Sequence, residues 1–104
     1  MSHPAGFGLK SDGQDATTDD LRAVWRIADQ AGFDHAWVFD HLGSTGTGGP
    51  DRSVFEGWSL QVAMAVATRR SRIGCTVTGT AYRDPGLAAK VAVSVDHQLR
   101  GLAV

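Results

Sequence analysis

Short apolar runs alternate with longer amphipathic segments along the chain, and this order repeats three times. Apolar runs of about four to eight residues are typical of strands, whereas apolar positions spaced about three or four apart are typical of helices. Strands and helices that alternate through short connections predict right-handed βαβ crossovers and a parallel sheet, and so an α/β fold. The predicted strands cover 7–10, 36–40 and 71–78, and the predicted helices cover 17–32, 54–68 and 86–101.

The first predicted helix carries recognisable signals at both ends. Thr17 is a residue type that caps helix N-termini, and Asp19 and Asp20 in the first turn suit the positive end of the helix dipole. Gly32 stands where a glycine commonly ends a helix in the left-handed conformation. One apolar stripe is predicted to face the core, and it consists of Leu21, Val24, Trp25, Ala28 and Ala31.

The second predicted strand ends in two residues that can carry chemistry. Residues 35–42 read HAWVFDHL, and the unbroken apolar run predicts a strand covered on both faces. Asp40 can accept hydrogen bonds and His41 can exchange a proton near neutral pH, although the pattern also allows Asp40 simply to cap the loop. Parallel α/β folds bind ligands at the carboxyl ends of their strands. The positions predicted to open on that side are Gln14, Asp40, His41, Thr76, Val77 and Thr78.

Composition narrows the class of protein. Hydrophobic residues make up 42% of the 104 residues and charged residues 20%, which is typical of a globular domain. The formal net charge of −1 gives no reason to expect a nucleic-acid or anionic membrane partner. The chain has one cysteine and no long apolar run, so we expect a soluble cytoplasmic protein without a disulfide or membrane span.

A metal-dependent hydrolase is an alternative that the residue types allow. His35, Asp40, His41 and His97 could each bind a metal ion. No two of these histidines have the helical i, i+4 spacing of a zinc protease, and a single cysteine cannot form a cysteine pair. The sequence therefore predicts no metal site.

Two longer stretches carry a resemblance to a known family. Residues 7–42, beginning FGLKSDGQDATTDD and ending HAWVFDHL, and residues 55–97, with RSRIGCTVTGTAYRDP at their centre, occur in the family's order. Over roughly residues 6–97 the chain resembles the N-terminal part of the luciferase-like flavin- and deazaflavin-dependent oxidoreductases. It is most similar to the bacterial branch associated with coenzyme F420. Asp84 precedes Pro85 where the family usually has histidine.

The resemblance implies a fold and a site. The family fold is a (β/α)₈ TIM barrel, in which the cofactor ring lies at the carboxyl ends of the strands. By position, His41 would be the catalytic proton donor or substrate contact, and Gln14 would line the substrate pocket. Relatives have a non-proline cis peptide at the positions of Thr76 and Val77. The implied cofactor contacts are Asp40, Thr76, Val77 and Thr78, and the implied cofactor is F420 with FMN as the alternative.

The number of units leaves two functional expectations open. Three βα units are too few for a closed barrel, which needs about 250 residues, so residues 1–104 are expected to form a partial barrel domain. One expectation is an oxidoreductase or monooxygenase acting on a small organic substrate, inactive as this chain alone. The other is a non-catalytic module that forms a homo-oligomer, or pairs with another chain, through exposed sheet edges.

Overall fold

Three strands and three helices alternate in the structure, as the hydrophobic pattern predicts. The computed structural model describes residues 5–46, 48, 49 and 51–99. The last residues of the third predicted helix, 100 and 101, lie outside this part of the chain. The elements are β1 (Gly8–Lys10), α1 (Thr18–Ala31), β2 (His35–Val38), α2 (Gly57–Ala67), β3 (Arg72–Cys75) and α3 (Pro85–Gln98).

The strands form one parallel sheet in the order β1-β2-β3. Leu9 lies opposite Ala36, and Ala36 lies opposite Ile73, so all three strands run in the same direction. Each connection between neighbouring parallel strands passes through a helix. The prediction of three parallel βα units is confirmed.

Strand β2 differs from its prediction in length and in burial. It ends at Val38, two residues before the predicted end. Ala36 and Val38 are buried beneath the helices, whereas His35 and Trp37 are only half-buried on the opposite face. The expectation of a strand covered on both faces is therefore wrong for the described residues, because the helices cover one face only.

Helix α1 begins and ends where the sequence predicts. The Thr17 hydroxyl accepts a hydrogen bond from Asp20 N, and the Asp20 carboxylate accepts one from Thr17 N, which together form a capping box. Gly32 ends the helix at φ +88°. The predicted apolar stripe is wrong at two positions, because Val24 and Ala31 are exposed.

The core lies between the helices and the covered face of the sheet. Trp25 of α1, Met64 of α2 and Val95 of α3 are almost completely buried there, together with Val38 and Ile73 of the sheet. The Trp25 indole also donates a hydrogen bond of 2.8 Å to the Ser11 hydroxyl. This contact ties α1 to the segment that follows β1.

Helices α2 and α3 both begin beside the carboxyl edge of the sheet, and a carboxylate caps each one. Glu56 accepts hydrogen bonds from Trp58 N and Ser59 N at the start of α2. Asp84 accepts a hydrogen bond of 2.8 Å from Gly86 N at the start of α3, where Pro85 is the first residue. Aspartate at position 84 therefore acts as a helix cap.

Candidate functional site

The three strands end side by side at the carboxyl edge of the sheet. Ser11 N donates to Trp37 O at 2.8 Å, and Thr76 N donates to Val38 O at 2.8 Å. The segments that follow β1, β2 and β3 are therefore neighbours. The structure brings Asp40, His41 and Thr76 to this common edge, where ligands bind in parallel α/β folds.

Asp40 is bound by protein groups rather than exposed to a ligand. Its side chain is 0% exposed. Arg83 donates to both carboxylate oxygens at 2.7 Å, and Gly79 N donates to Oδ2 at 3.0 Å. Asp40 thus contacts the loop between β3 and α3, and its direct contact with a cofactor remains an untested prediction.

Glu56 extends this arrangement to the start of α2. Its carboxylate pairs with the Arg83 guanidinium while it accepts from the Ser59 hydroxyl and from two backbone amides. Burial alone would raise the pKa of Glu56, but the hydrogen bonds from Ser59, Trp58 and Arg83 outweigh burial and lower this pKa. The pKa of Arg83 is raised, because its hydrogen bonds to Asp40 outweigh burial, which would lower this pKa. Glu56 and Arg83 therefore carry charge at neutral pH. We call Asp40, Glu56 and Arg83 the Arg83 cluster.

His41 is half-buried, and it directly follows Asp40 of this cluster in the sequence. Its ring packs edge-on against Phe39, with the ring centroids 4.7 Å apart. Phe39 is buried and holds one edge of the imidazole, while Lys10 lies over the Phe39 ring at 5.8 Å. Among the described residues, nothing hydrogen-bonds to the His41 ring nitrogens, so they can contact a ligand.

The segment after β3 presents backbone and an apolar side chain to solvent. The peptide bond between Thr76 and Val77 is cis, as the resemblance implies, and Val77 is 66% exposed. Thr78 is half-buried, and burial is the chief cause that raises the thiol pKa of Cys75 at the end of β3. Thr76 and Val77 are thus open to a ligand, whereas Thr78 is less accessible.

Gln14 is paired with the glycine-rich loop that follows His41. Its amide nitrogen donates to Thr45 O at 2.9 Å, and its amide oxygen accepts from Thr45 N at 2.7 Å. Both polar ends of the side chain are used, so Gln14 holds the loop in place. Its role in substrate binding remains a prediction.

Sequence reasoning missed the partners of Asp40. Arg83 and Asp40 are 43 residues apart, and Arg83 and Glu56 are 27 apart. No short spacing joins them. Two signals could have drawn attention to them, namely an arginine in the loop just before Pro85 and a carboxylate just before an apolar helix.

The amino-terminal edge carries a second buried carboxylate, Asp29, which sequence reasoning also missed. Asp29 accepts from the backbone amides of Arg69, Arg70 and Ser71 at 2.8–3.0 Å. Burial opposes ionisation, but these hydrogen bonds prevail and lower the pKa of Asp29. The backbone of the residues after α2 therefore binds α1. A cavity of about 700 Å³ opens beside them, between Phe33 and Arg72.

None of the helices in the described residues is long and apolar enough to cross a membrane. Across the same residues, no three histidine, cysteine or acidic side chains meet in a group that could hold a metal ion.

Comparison with known proteins decides the family. Residues 1–101 match the sequence profile of a family described as luciferase-like monooxygenase. The chain belongs to the luciferase-like monooxygenase family. The resemblance stated from the sequence is confirmed.

Solved structures support the same fold. The coenzyme F420-dependent tetrahydromethanopterin reductase from Methanopyrus kandleri superposes with a TM-score of 0.79 at 21% identity, over 95% of this chain and 25% of its own. An F420-dependent secondary alcohol dehydrogenase in complex with an F420-acetone adduct superposes with a TM-score of 0.83 at 19% identity, over 94% of this chain and 29% of its own. A riboflavin lyase with modified FMN and riboflavin superposes with a TM-score of 0.79 at 20% identity, over 94% of this chain and 28% of its own.

These structures define how much of the fold is present. The chain spans between 25% and 29% of the length of the three proteins. They are luciferase-like TIM-barrel enzymes, and the three βα units described above correspond to the first part of that barrel. At these identities the likeness establishes the fold alone.

Proposed function

We propose that the carboxyl edge of the sheet forms part of a site for the ring of coenzyme F420, with FMN as the alternative ring. The observation that carries the proposal is the exposed surface of Thr76 and Val77 in the segment after β3. This segment neighbours the segment after β2, which carries the half-buried His41. A flat aromatic ring needs an apolar contact on its face and hydrogen-bonding groups at its rim. The exposed Val77 side chain and the free nitrogens of His41 fit these needs.

The contributions of protein and cofactor are separable. When bound, the deazaflavin or flavin supplies hydride or electron transfer, and the protein supplies binding, orientation and electrostatics. Val77 and the backbone beside it support the cofactor ring, and His41 holds or releases a proton at a nitrogen of its imidazole. Phe39 packs edge-on against the imidazole and restricts its position.

The implied reaction is an oxidation, reduction or monooxygenation of a small organic substrate. Support comes from the family and from structural neighbours whose names include F420 or FMN. Because the chain spans about a quarter of those neighbours, we expect these residues to bind a ring weakly and not to turn over substrate by themselves. We further propose that the protein works in the cytoplasm.

Fluorescence titration of this chain with F420 and with FMN tests the proposal. Saturable binding of one ring, weakened in His41→Ala, supports it. The matched control is His97→Ala, which removes an exposed histidine in the last turn of α3, away from the carboxyl edge. Absence of saturable binding for both rings contradicts the proposal. In a protein carrying the whole barrel, His41→Ala should lower kcat more than cofactor affinity, and an unchanged kcat would remove His41 from the mechanism.

The open edges and the uncovered face of the sheet favour a second candidate function, that of a module completed by another chain. In the described part of the chain, β1 and β3 each pair with β2 alone, which leaves one edge of each strand without a strand partner. The uncovered face carries the cationic side chains of Lys10 and Arg72, so two copies placed face to face would bring like charges together. Edge pairing or a partner with acidic side chains is therefore favoured. Sedimentation velocity tests it, because a concentration-independent monomer contradicts self-association.

A further inference from the structure

The Arg83 cluster joins three segments that are distant in the sequence. Asp40 lies two residues after β2, Glu56 caps α2, and Arg83 lies in the loop between β3 and α3. The side chain of Arg83 is 13% exposed and that of Asp40 is fully buried. The side chain of Glu56 is 40% exposed. The enclosed Arg83–Asp40 pair has few alternative partners, so it restricts how the segments that carry it can lie relative to one another.

The geometry requires the forked shape of an arginine. One guanidinium nitrogen of Arg83 donates to Asp40 Oδ2, and the other donates both to Asp40 Oδ1 and to Glu56. A lysine ammonium carries the same charge on a single atom and lacks this planar fork. Charge alone therefore does not reproduce the arrangement.

The backbone around the cluster is closely packed. A Cβ on Gly57 would lie 2.5 Å from Phe39 O, which shows how near the start of α2 comes to the end of β2. Gly79 N donates to the same Asp40 oxygen that Arg83 contacts. Tyr82 N in turn donates to Gly79 O at 3.3 Å, which closes a tight turn between Gly79 and Arg83. The loop is thus attached to Asp40 at both ends of this turn.

We propose that Arg83 is a positioning residue for the ligand site. Through its forked contact with Asp40 and Glu56, it holds the loop from 76 to 83 against the end of β2. This contact sets the spacing between the exposed Val77 and His41, without Arg83 itself touching the ligand. The inference rests on the proposed function for its purpose, but the loop geometry can be measured without a cofactor.

Variants of the cluster separate positioning from folding. Arg83→Met removes the fork and leaves a buried carboxylate without its cation, so this variant can fail to fold. Arg83→Met combined with Asp40→Asn removes both charges and keeps an amide oxygen that can accept from Gly79 N. Arg83→Lys keeps the charge without the fork. Arg22→Met is the matched control, because Arg22 forms an exposed pair with Asp19 at 3.5 Å on α1.

Amide hydrogen exchange of the full chain, measured by NMR at the residues of the loop, decides the inference. We expect the amides of Gly79 and Thr76, which donate to Asp40 and to Val38 O, to exchange at least about tenfold faster in Arg83→Lys and in the double variant, with core amides such as Ile73 still protected. Arg22→Met should exchange like the wild type. Wild-type exchange throughout the loop in either folded variant would overturn the proposal.

Titration with FMN and F420 then connects the loop to the ligand. If the wild type binds a ring, the folded variants should bind it at least about tenfold more weakly. Wild-type affinity in a variant with a loosened loop would overturn the positioning role. If the wild type binds neither ring, the proposed function fails, and the exchange data alone still decide whether Arg83 positions the loop.

Discussion

The two edges of the sheet both use a buried aspartate to hold a loop, but they use it differently. At the amino-terminal edge, Asp29 is satisfied by three backbone amides of residues 69–71. At the carboxyl edge, Asp40 receives one backbone amide and a two-pronged arginine contact. Any non-proline residue supplies a backbone amide, whereas the arrangement around Asp40 requires an arginine at position 83.

The difference teaches where function can reside in this fold. The Asp29 site ties α1 to the turn before β3 and uses the carboxylate entirely for structure. The carboxyl edge is held by side chains, and it leaves Val77, Thr76 and one side of His41 open. This edge is where luciferase-like barrels are expected to hold their cofactor. Substitutions at the two edges should therefore separate stability from binding.

The largest loss of stability is expected from Gly57→Ala at the carboxyl edge. The added Cβ would lie 2.5 Å from Phe39 O and 3.1 Å from Asp40 Cα, and both contacts are with backbone. Displacing the start of α2 should lower the free energy of unfolding by about 3 kcal/mol, at the upper end of overpacking effects. Urea denaturation measures this change. Gly43→Ala is the control, because a Cβ there meets nothing within 4 Å, and equal losses in both variants would contradict the explanation.

Asp29→Asn should cost less, about 2 kcal/mol at pH 7, because an amide oxygen replaces the charged acceptor of three hydrogen bonds. The cost should depend on pH. Asp29 has a lowered pKa in the folded state, so its contribution is complete above the unfolded-state pKa near 4 and is lost as pH falls through the folded-state pKa.

Unfolding of wild type and Asp29→Asn at a series of pH values checks the sign. The difference between their unfolding free energies should be largest at neutral pH and should shrink as the pH falls from about 4. A difference that stays constant across this range would show that the charge of Asp29 is not the source of the effect.

Gly32→Ala, also at the amino-terminal edge, should cost about 1 kcal/mol. Gly32 has φ +88° at the end of α1, where an L-residue is strained, but a Cβ there has free space around it. Gly32→Asn should lose less than Gly32→Ala, because asparagine tolerates this conformation better. Thermal unfolding of both variants tests the order, and a reversed order would contradict a conformational cause.

The smallest effect on stability is expected from Val77→Ala. Val77 is 66% exposed, so the unfolding free energy should change by less than about 0.5 kcal/mol. Ring binding should nevertheless weaken by about tenfold, since the two lost methyl groups would contact the ring. Val66→Ala, which truncates a valine of α2 that is 79% exposed, should change neither quantity. Unaltered FMN and F420 affinity in Val77→Ala would show that the ring does not rest on this side chain.

The sequence predicted the elements of the fold better than the contacts of the site. The order of strands and helices, the Thr17 cap and the Gly32 terminus were all readable because their signals lie within a few residues. Predicted ends were less accurate, as β2 shows, because the apolar residue Phe39 continues the pattern of the strand without pairing in the sheet. At position 57 the close approach to Phe39 O requires a glycine, and this requirement comes from packing and not from a local signal.

The sequence by itself determined the α/β class, the three-unit order and the placement of His41 and Val77 at strand ends, because these follow from local hydrophobic periodicity and from the parallel connection rule. Only the tertiary structure decided which carboxylates are hydrogen-bonded within the protein and which groups donate to them. Asp40 meets Arg83 across 43 residues, and Asp29 meets Ser71 across 42. Such partners are chosen by the packing of helices on the sheet, and the chain carries no local spacing that encodes them.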